Sequence, residues 1–290
     1  MAAIAVARSL ARVPCELTAA EKTALVEAYG EQRAEWIALS VVMMGFLNKF
    51  MDAIGVELEQ QVVAEVSATM GAEWSPGKAG LELDPVVPQV PVPPADGLRT
   101  KLRLVPLLPG AIRFDRQVQR DTPRRWPTIG AYLAERTGHD FPVLGRIRSA
   151  RARRAIASML RENLDPATSV VGLGIKVMTG AVFAATIGDE HVAADVRALA
   201  MRAGVDGDHL DAVAAFAHND STPPPGDGPL AASALLLARA AAPSPARIDR
   251  STVAACQDGG LSAPAIVEII AWLSVLQMLH RLTCYTQPPA

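Results

Sequence analysis

Apolar positions along the chain recur at three- and four-residue spacing, and sustained two-residue alternation is almost absent. That pattern predicts helices and no sheet. Residues 2–12 form a short predicted helix with one apolar face, broken by Arg8 and Arg12. Thr18 is placed to cap a helix over 19–29, with Glu21 three residues on to complete a capping box. Glu31 to Ile54 reads as a long apolar helix stopped by Gly55, and Val62 to Met70 as another. Pro127 to Thr137 and Ser149 to Asn163 are amphipathic, with arginines on the wet side. Asp165 followed by Pro166 predicts a cap and first-turn proline opening the next helix. Helices over 189–203 and 207–217, separated by Gly204, precede a last long one from Pro264 to about Cys284. The proline-rich stretches 85–97 and 220–229 fix φ and remove backbone donors, so they read as extended connectors.

Composition agrees. Half of the 290 residues are hydrophobic and 20% charged, which excludes a disordered chain. Aromatics are only 4%, against abundant alanine, which favours packed helices over sheets. Cys15, Cys256 and Cys284 are too few and too scattered for a disulfide framework. No His/Cys/Asp/Glu group has metal-ligand spacing, and Gly172-x-Gly174 lacks the third glycine and preceding strand of a dinucleotide fingerprint. No metal or cofactor is therefore expected. The N-terminal apolar run is a poor export signal, and residues 167–188 are marginal in length for a membrane span and carry Lys176. The expectation is no membrane and a reducing cytoplasm. Charge is uneven: Arg99 to Arg161 carry 15 basic and 4 acidic residues, and the rest of the chain is acidic. With few aromatics among the arginines, this segment reads as docking on its own chain and not on nucleic acid.

The two ends of the chain resemble each other. Val6-Ala7-Arg8, Ala11 and Pro14 match Leu237-Ala238-Arg239, Ala242 and Pro245 at one offset of 231. Thr18 to Tyr29 parallels Arg250 to Leu261, and Ala34-Glu35-Trp36-Ile37-Ala38 parallels Val267-Glu268-Ile269-Ile270-Ala271. Each copy is a short helix, a proline turn, a second helix and a long apolar helix, arranged by pseudo-twofold symmetry as in homodimers. Glu35 and Glu268, conserved between the copies, are expected to pair with Arg8 and Arg239.

The C-terminal copy, LLLARAAAPSPARIDRSTVAACQDGGLSAPAIVEIIAWLSVLQMLHRL, resembles the alkylhydroperoxidase AhpD-like and carboxymuconolactone decarboxylase superfamily. GFLNKFMDAIGVELE (45–59) and RALAMRAGVDGDHLDAVAAF (197–216) are similar to it as well. The resemblance implies an all-α, AhpD-like helical bundle of two pseudo-symmetric repeats, usually assembled into homo-oligomers. The implied organisation is an N-terminal repeat over 1–84, a linker over 85–97, a basic helical insertion over 98–165 and a C-terminal repeat over 166–290. The peroxidase branch of that family carries Cys-x-x-Cys-x-x-x-His. If His191 is that histidine, the cysteine positions hold Ala184 and Ile187, neither of which forms a thiolate.

The expected chemistry is therefore non-redox: a lyase- or isomerase-type reaction on a small anionic organic molecule, using acid–base groups. His191 and Glu190 are the first candidates. His280 and Cys284 share a face of the last helix, and Asn48 and Asp52, four apart on the matching helix, are placed to converge on them. The alternatives are a non-catalytic module that binds a ligand or a protein, and a peroxidase-related activity through Cys284 or Cys256.

Overall fold

The computed structural model describes residues 1–55, 109–110, 112–113, 116, 120–218, 222–225 and 228–287. The helix over 62–70, the linker 85–97 and most of 98–119 lie outside them. The chain divides into two compact units, Met1–Glu57 with Arg124–Ala290, and Leu58–Pro123. The first carries everything that follows, so the basic residues from Arg124 on belong to the same unit as both ends of the chain.

The fold is all-α; among the described residues there is no strand. In chain order the helices are α1 (Ala2–Ala11), α2 (Ala19–Tyr29), α3 (Glu31–Ile54), α4 (Thr128–Thr137), a 3-10 turn (Pro142–Arg146), α5 (Ala150–Leu164), α6 (Gly172–Ile187), α7 (Glu190–Ala203), α8 (Gly207–Phe216), α9 (Gly228–Ala241), α10 (Arg250–Asp258) and α11 (Ala263–Thr286). Local signals set most of their ends. Thr18 and Glu21 form the capping box of α2. Gly55 ends α3 in the left-handed region, where a side chain would be strained. Ser149, Asp189, Asp206, Asp249 and Ser262 cap α5, α7, α8, α10 and α11 through their side chains.

The helix expected to open at Asp165-Pro166 begins instead at Gly172. The Asp165 carboxylate accepts from Ala167 N–H at 2.9 Å, which closes a turn and leaves nothing to cap a helix.

α11 forms the centre. Trp272, Leu273, Leu276 and Leu279 are buried, and α3 packs along its length. On its other side lies α6, itself surrounded by α7, α8 and α9. Trp272 Nε1 donates to Lys176 O at 2.7 Å, tying α11 to α6. α3 and α11 are both long and apolar enough to cross a membrane, but the apolar window of α11 is 72% buried inside the protein. That of α3 is 28% buried, and Trp36, Met43, Met44, Leu47 and Met51 remain exposed along it.

The two ends share their order of elements and several contacts. α1–α2–α3 corresponds to α9–α10–α11, and the two long helices have 24 residues each. The turn after the first helix is closed in both by the same bond: Glu16 N–H to Ser9 O, and Arg247 N–H to Ala240 O. Both turns contain a cis proline peptide, Val13–Pro14 and Ser244–Pro245. Each long helix also sends a cation to the end of the other copy's first helix. Arg281 donates to Ala11 O, and Lys49 donates to Ala242 O and Pro243 O.

Glu35 and Glu268 serve the starts of later helices, not the arginines of their own copies. Glu35 accepts from the N–H groups of Arg148 and Ser149 ahead of α5. Glu268 accepts from Ser169 Oγ and Val170 N–H ahead of α6, and its carboxylate meets Lys176 Nζ at 2.5 Å. A carboxylate satisfies several orphan donors at a helix start and favours its positive end.

Candidate functional site

An apolar helix at the centre of a protein has little tolerance for polar side chains, so those it carries must find partners. The second half of α11 holds Gln277, His280, Arg281 and Cys284. His280 is 4% exposed, and both of its ring nitrogens are engaged. Nδ1 meets Asp189 Oδ2 at 2.5 Å. Nε2 accepts from the backbone N–H of Cys15 at 2.9 Å. A backbone N–H only donates, so Nε2 carries the lone pair and Nδ1 the proton.

Asp189 reaches His280 from the two-residue turn between α6 and α7, where Gly188 takes a left-handed conformation. Its other oxygen caps α7, accepting from His191 N–H at 2.8 Å and Val192 N–H at 3.2 Å. Burial opposes ionisation of Asp189, but the imidazole and these two amides outweigh it and hold the carboxyl below its ordinary value.

Two thiols complete this cluster. Cys284, one turn beyond His280, has Sγ 4.0 Å from both ring nitrogens. Cys15 comes from the turn between α1 and α2, and its backbone bond to the His280 ring brings its thiol beside that of Cys284. The Cys284 thiol beside it pulls the Cys15 thiol down from its ordinary value, with Leu17 N–H and the Arg281 charge acting in the same direction. The neighbouring Cys15 thiol, together with burial, pushes the Cys284 thiol up. Both sulfurs are free and half-buried. Cys256 is different: it is buried against Ser233 O, and burial alone raises its thiol.

On the side of α11 facing α3 is a cleft of about 450 Å³, lined by Asn48, Lys49, Asp52, Gln277 and Arg281 among others. Lys49 is 3% exposed; burial pushes its ammonium down to about 7, against the opposing pull of Asp52. The Asp52 carboxyl, exposed at the mouth, is raised by the loss of surrounding water. A second cleft, about 850 Å³, borders Arg239, Arg247, His218 and Cys256 and contains none of these residues.

The sequence-derived candidates therefore separate. His280 and Cys284 meet as their spacing requires. Asn48 and Asp52 lie in the neighbouring cleft with Gln277. His191 and Glu190 are exposed, and the contribution of His191 to the cluster is its backbone N–H. The acid that matters in the GDEH stretch is Asp189, and its place immediately before an apolar-periodic helix is the cap signal that marks it. Cys15 has no local signal; it arrives from 265 residues before His280. Among the described residues no group of three or more His, Cys, Asp or Glu is arranged to hold a metal ion. No protein-family model, curated protein or solved structure matches the chain.

Proposed function

We propose that the protein is a dithiol–disulfide redox protein, a divergent relative of the AhpD-like superfamily whose thiol pair is assembled from opposite ends of the chain. The observation that carries this reading is the placing of both cysteines against one imidazole, the Cys15 N–H on His280 Nε2 and the Cys284 sulfur 4.0 Å from the ring nitrogens, with Asp189 behind it. It departs from the non-redox chemistry expected from the missing Cys-x-x-Cys motif. A thiolate is the nucleophile in such chemistry, and a thiol pulled down beside a thiol pushed up suits an attacking and a resolving cysteine.

The oxidant is a hydroperoxide. The Cys15 sulfur attacks a peroxide oxygen, the O–O bond breaks, and alcohol leaves with the thiol proton, giving Cys15 sulfenic acid. The Cys284 sulfur then attacks that sulfur, the S–S bond forms, and the hydroxyl leaves as water with the Cys284 proton. A small external dithiol returns the pair to its starting state. His280 is a positioning residue here, because neither ring nitrogen is open to substrate: it holds the Cys15 backbone, and Asp189 holds its ring.

Treatment with cumene hydroperoxide tests the reading. The expected result is loss of two titratable thiols and of two hydrogens from the intact mass, with Cys256 unchanged. Cys15→Ser abolishes peroxide consumption, and Cys284→Ser leaves a sulfenic acid that dimedone traps. His280→Gln shifts the pH profile of Cys15 alkylation. Equal peroxide consumption by the Cys15→Ser/Cys284→Ser protein overturns it.

The non-redox reading, acid–base chemistry on a small organic acid, is favoured by one observation. Lys49, pushed down to about 7, and Asp52, raised, line one cleft as a base and an acid. Turnover of an organic acid that survives loss of all three cysteines and fails in Lys49→Met selects it.

A further inference from the structure

Gln277 and Arg281, which line the cleft between α3 and α11, carry buried polar atoms that no described residue answers. Arg281 is 4% exposed. Its Nη2 donates to Ala11 O at 2.8 Å, but Nε and Nη1 meet no acceptor among the described residues. Gln277 is 1% exposed; its Nε2 donates to Gly45 O at 3.3 Å, and its Oε1 meets no donor among the described residues. A carbonyl oxygen such as Gly45 O accepts only, so the amide orientation of Gln277 is fixed and the unpaired atom is an acceptor. Buried donors and acceptors are nearly always paired in folded proteins, so unpaired ones on two residues that line a single cleft point to a missing ligand.

The charge defines that ligand further. Lys49 and Arg281 are two buried cations 232 positions apart, each used by one copy of the repeat to hold the other. One acid, Asp52, lines the cleft with them, at its mouth. Gly45 makes room for the arrangement: a Cβ there would lie 1.2 Å from Arg281 Nη1, so the guanidinium occupies the place of a side chain. Ala7, Val41 and Met44 supply an apolar wall, and about 450 Å³ accommodates a small organic molecule.

We infer that this cleft binds a small hydroxycarboxylate, with its carboxylate on Arg281, its hydroxyl donating to Gln277 Oε1, and its apolar body against Ala7, Val41 and Met44. A simple oxyanion answers Arg281 but presents a second acceptor to Gln277 Oε1. A hydroxyl beside the carboxylate answers both. The inference goes beyond the redox reading and needs neither thiol.

Calorimetric titration of the full chain with mandelate, phenylacetate and inorganic phosphate tests it. Mandelate binds saturably at one site, at least tenfold tighter than phenylacetate, which lacks the hydroxyl. Gln277→Met erases that difference, and Arg281→Met weakens mandelate at least tenfold. Because Arg281 is also structural, two isosteric exposed variants carry the decision. Asn48→Asp adds a negative charge at the mouth and weakens mandelate about threefold to tenfold; Asp52→Asn removes one and strengthens it by a similar factor. The Cys15→Ser/Cys284→Ser protein binds mandelate as the parent does, which separates this result from the fate of the redox reading. Absence of saturable mandelate binding, equal affinity for mandelate and phenylacetate, or a response to phosphate alone overturns the inference.

Discussion

Asp189 divides its two carboxylate oxygens between two tasks, and they can be separated by substitution. One oxygen caps α7 and the other holds His280. Asp189→Ala removes both, and we expect a loss of about 2–4 kcal/mol in urea unfolding, a cap plus an orphaned buried donor. Asp189→Asn keeps a capping oxygen but loses the charge. Because the folded carboxyl lies below its unfolded value, its contribution is present above about pH 4 and disappears as pH falls through the folded value. The parent should therefore lose stability more steeply than Asp189→Asn below about pH 4. Lys49 has the opposite sense. Its folded value, about 7, lies below the ordinary 10.5, so between these the unfolded chain binds more protons and stability rises with pH. Lys49→Met should lack that rise when compared with the parent from pH 7 to 10. At this scale the sequence was partly legible. His280 and Cys284 share a helix face by arithmetic, and Asp189 carries a cap signal. Nothing local distinguishes it from its neighbours Glu190 and His191 as the residue that reaches His280, because that contact spans 91 positions.

Helix starts show how elements depend on one another in this fold. α5 and α6 each begin at a carboxylate from a long helix of the repeat, Glu35 for one and Glu268 for the other. The two should not be equivalent. Glu35→Ala leaves two backbone donors without a partner and should cost about 1–3 kcal/mol, with amide protection lost around residues 148–153. Glu268→Ala removes the acceptor of one backbone donor, Val170 N–H, and of the Ser169 hydroxyl ahead of α6, and also strands the Lys176 ammonium, 1% exposed, without its counter-charge. That loss should reach about 3–5 kcal/mol, with protection lost around residues 170–178. Equal losses in the two variants would show that the Lys176–Glu268 pair contributes nothing beyond the helix start. Helix ends were legible where their signals are local: Thr18 with Glu21, Gly55 and Gly204 each act within one turn. Asp165-Pro166 carries the same letters as a helix opening, but the carboxylate turns on Ala167, and the first N–H of α6, on Gly172, donates to Ser169 Oγ, whose hydroxyl is held by Glu268 about a hundred residues away. Periodicity does not report such a bond.

For the whole molecule, the repeat places the two ends of the chain against each other, and the thiol pair lies on that seam. Cys15 belongs to the turn following α1 and Cys284 to the last turns of α11, so oxidation would join the first and last helices of the chain. The link would close a loop of about 270 residues. Loop-closure arithmetic puts the upper bound of its effect on stability at about 6 kcal/mol, and native geometry determines how much of that is realised. Both cysteines already lie against the His280 ring, so the two ends are side by side before any link forms. We therefore expect the oxidised protein to melt at a higher temperature than the reduced one by scanning calorimetry. The difference should vanish in Cys15→Ser and in Cys284→Ser, persist in Cys256→Ser, and be independent of protein concentration, as an intramolecular bond requires. A concentration-dependent shift, or one that follows Cys256, would mean that the two ends are joined by something other than the pair on the seam. The repeat that makes this possible is faint in sequence because its two copies share an order of elements and a few cross-bonds more than they share residues: Lys49 and Arg281 do the same work from matching positions with different chemistry. The thiol pair is not legible there at all, since it breaks the symmetry. The position matching Cys15 in the second copy is Ala246, and the position matching Cys284 in the first is Asp52.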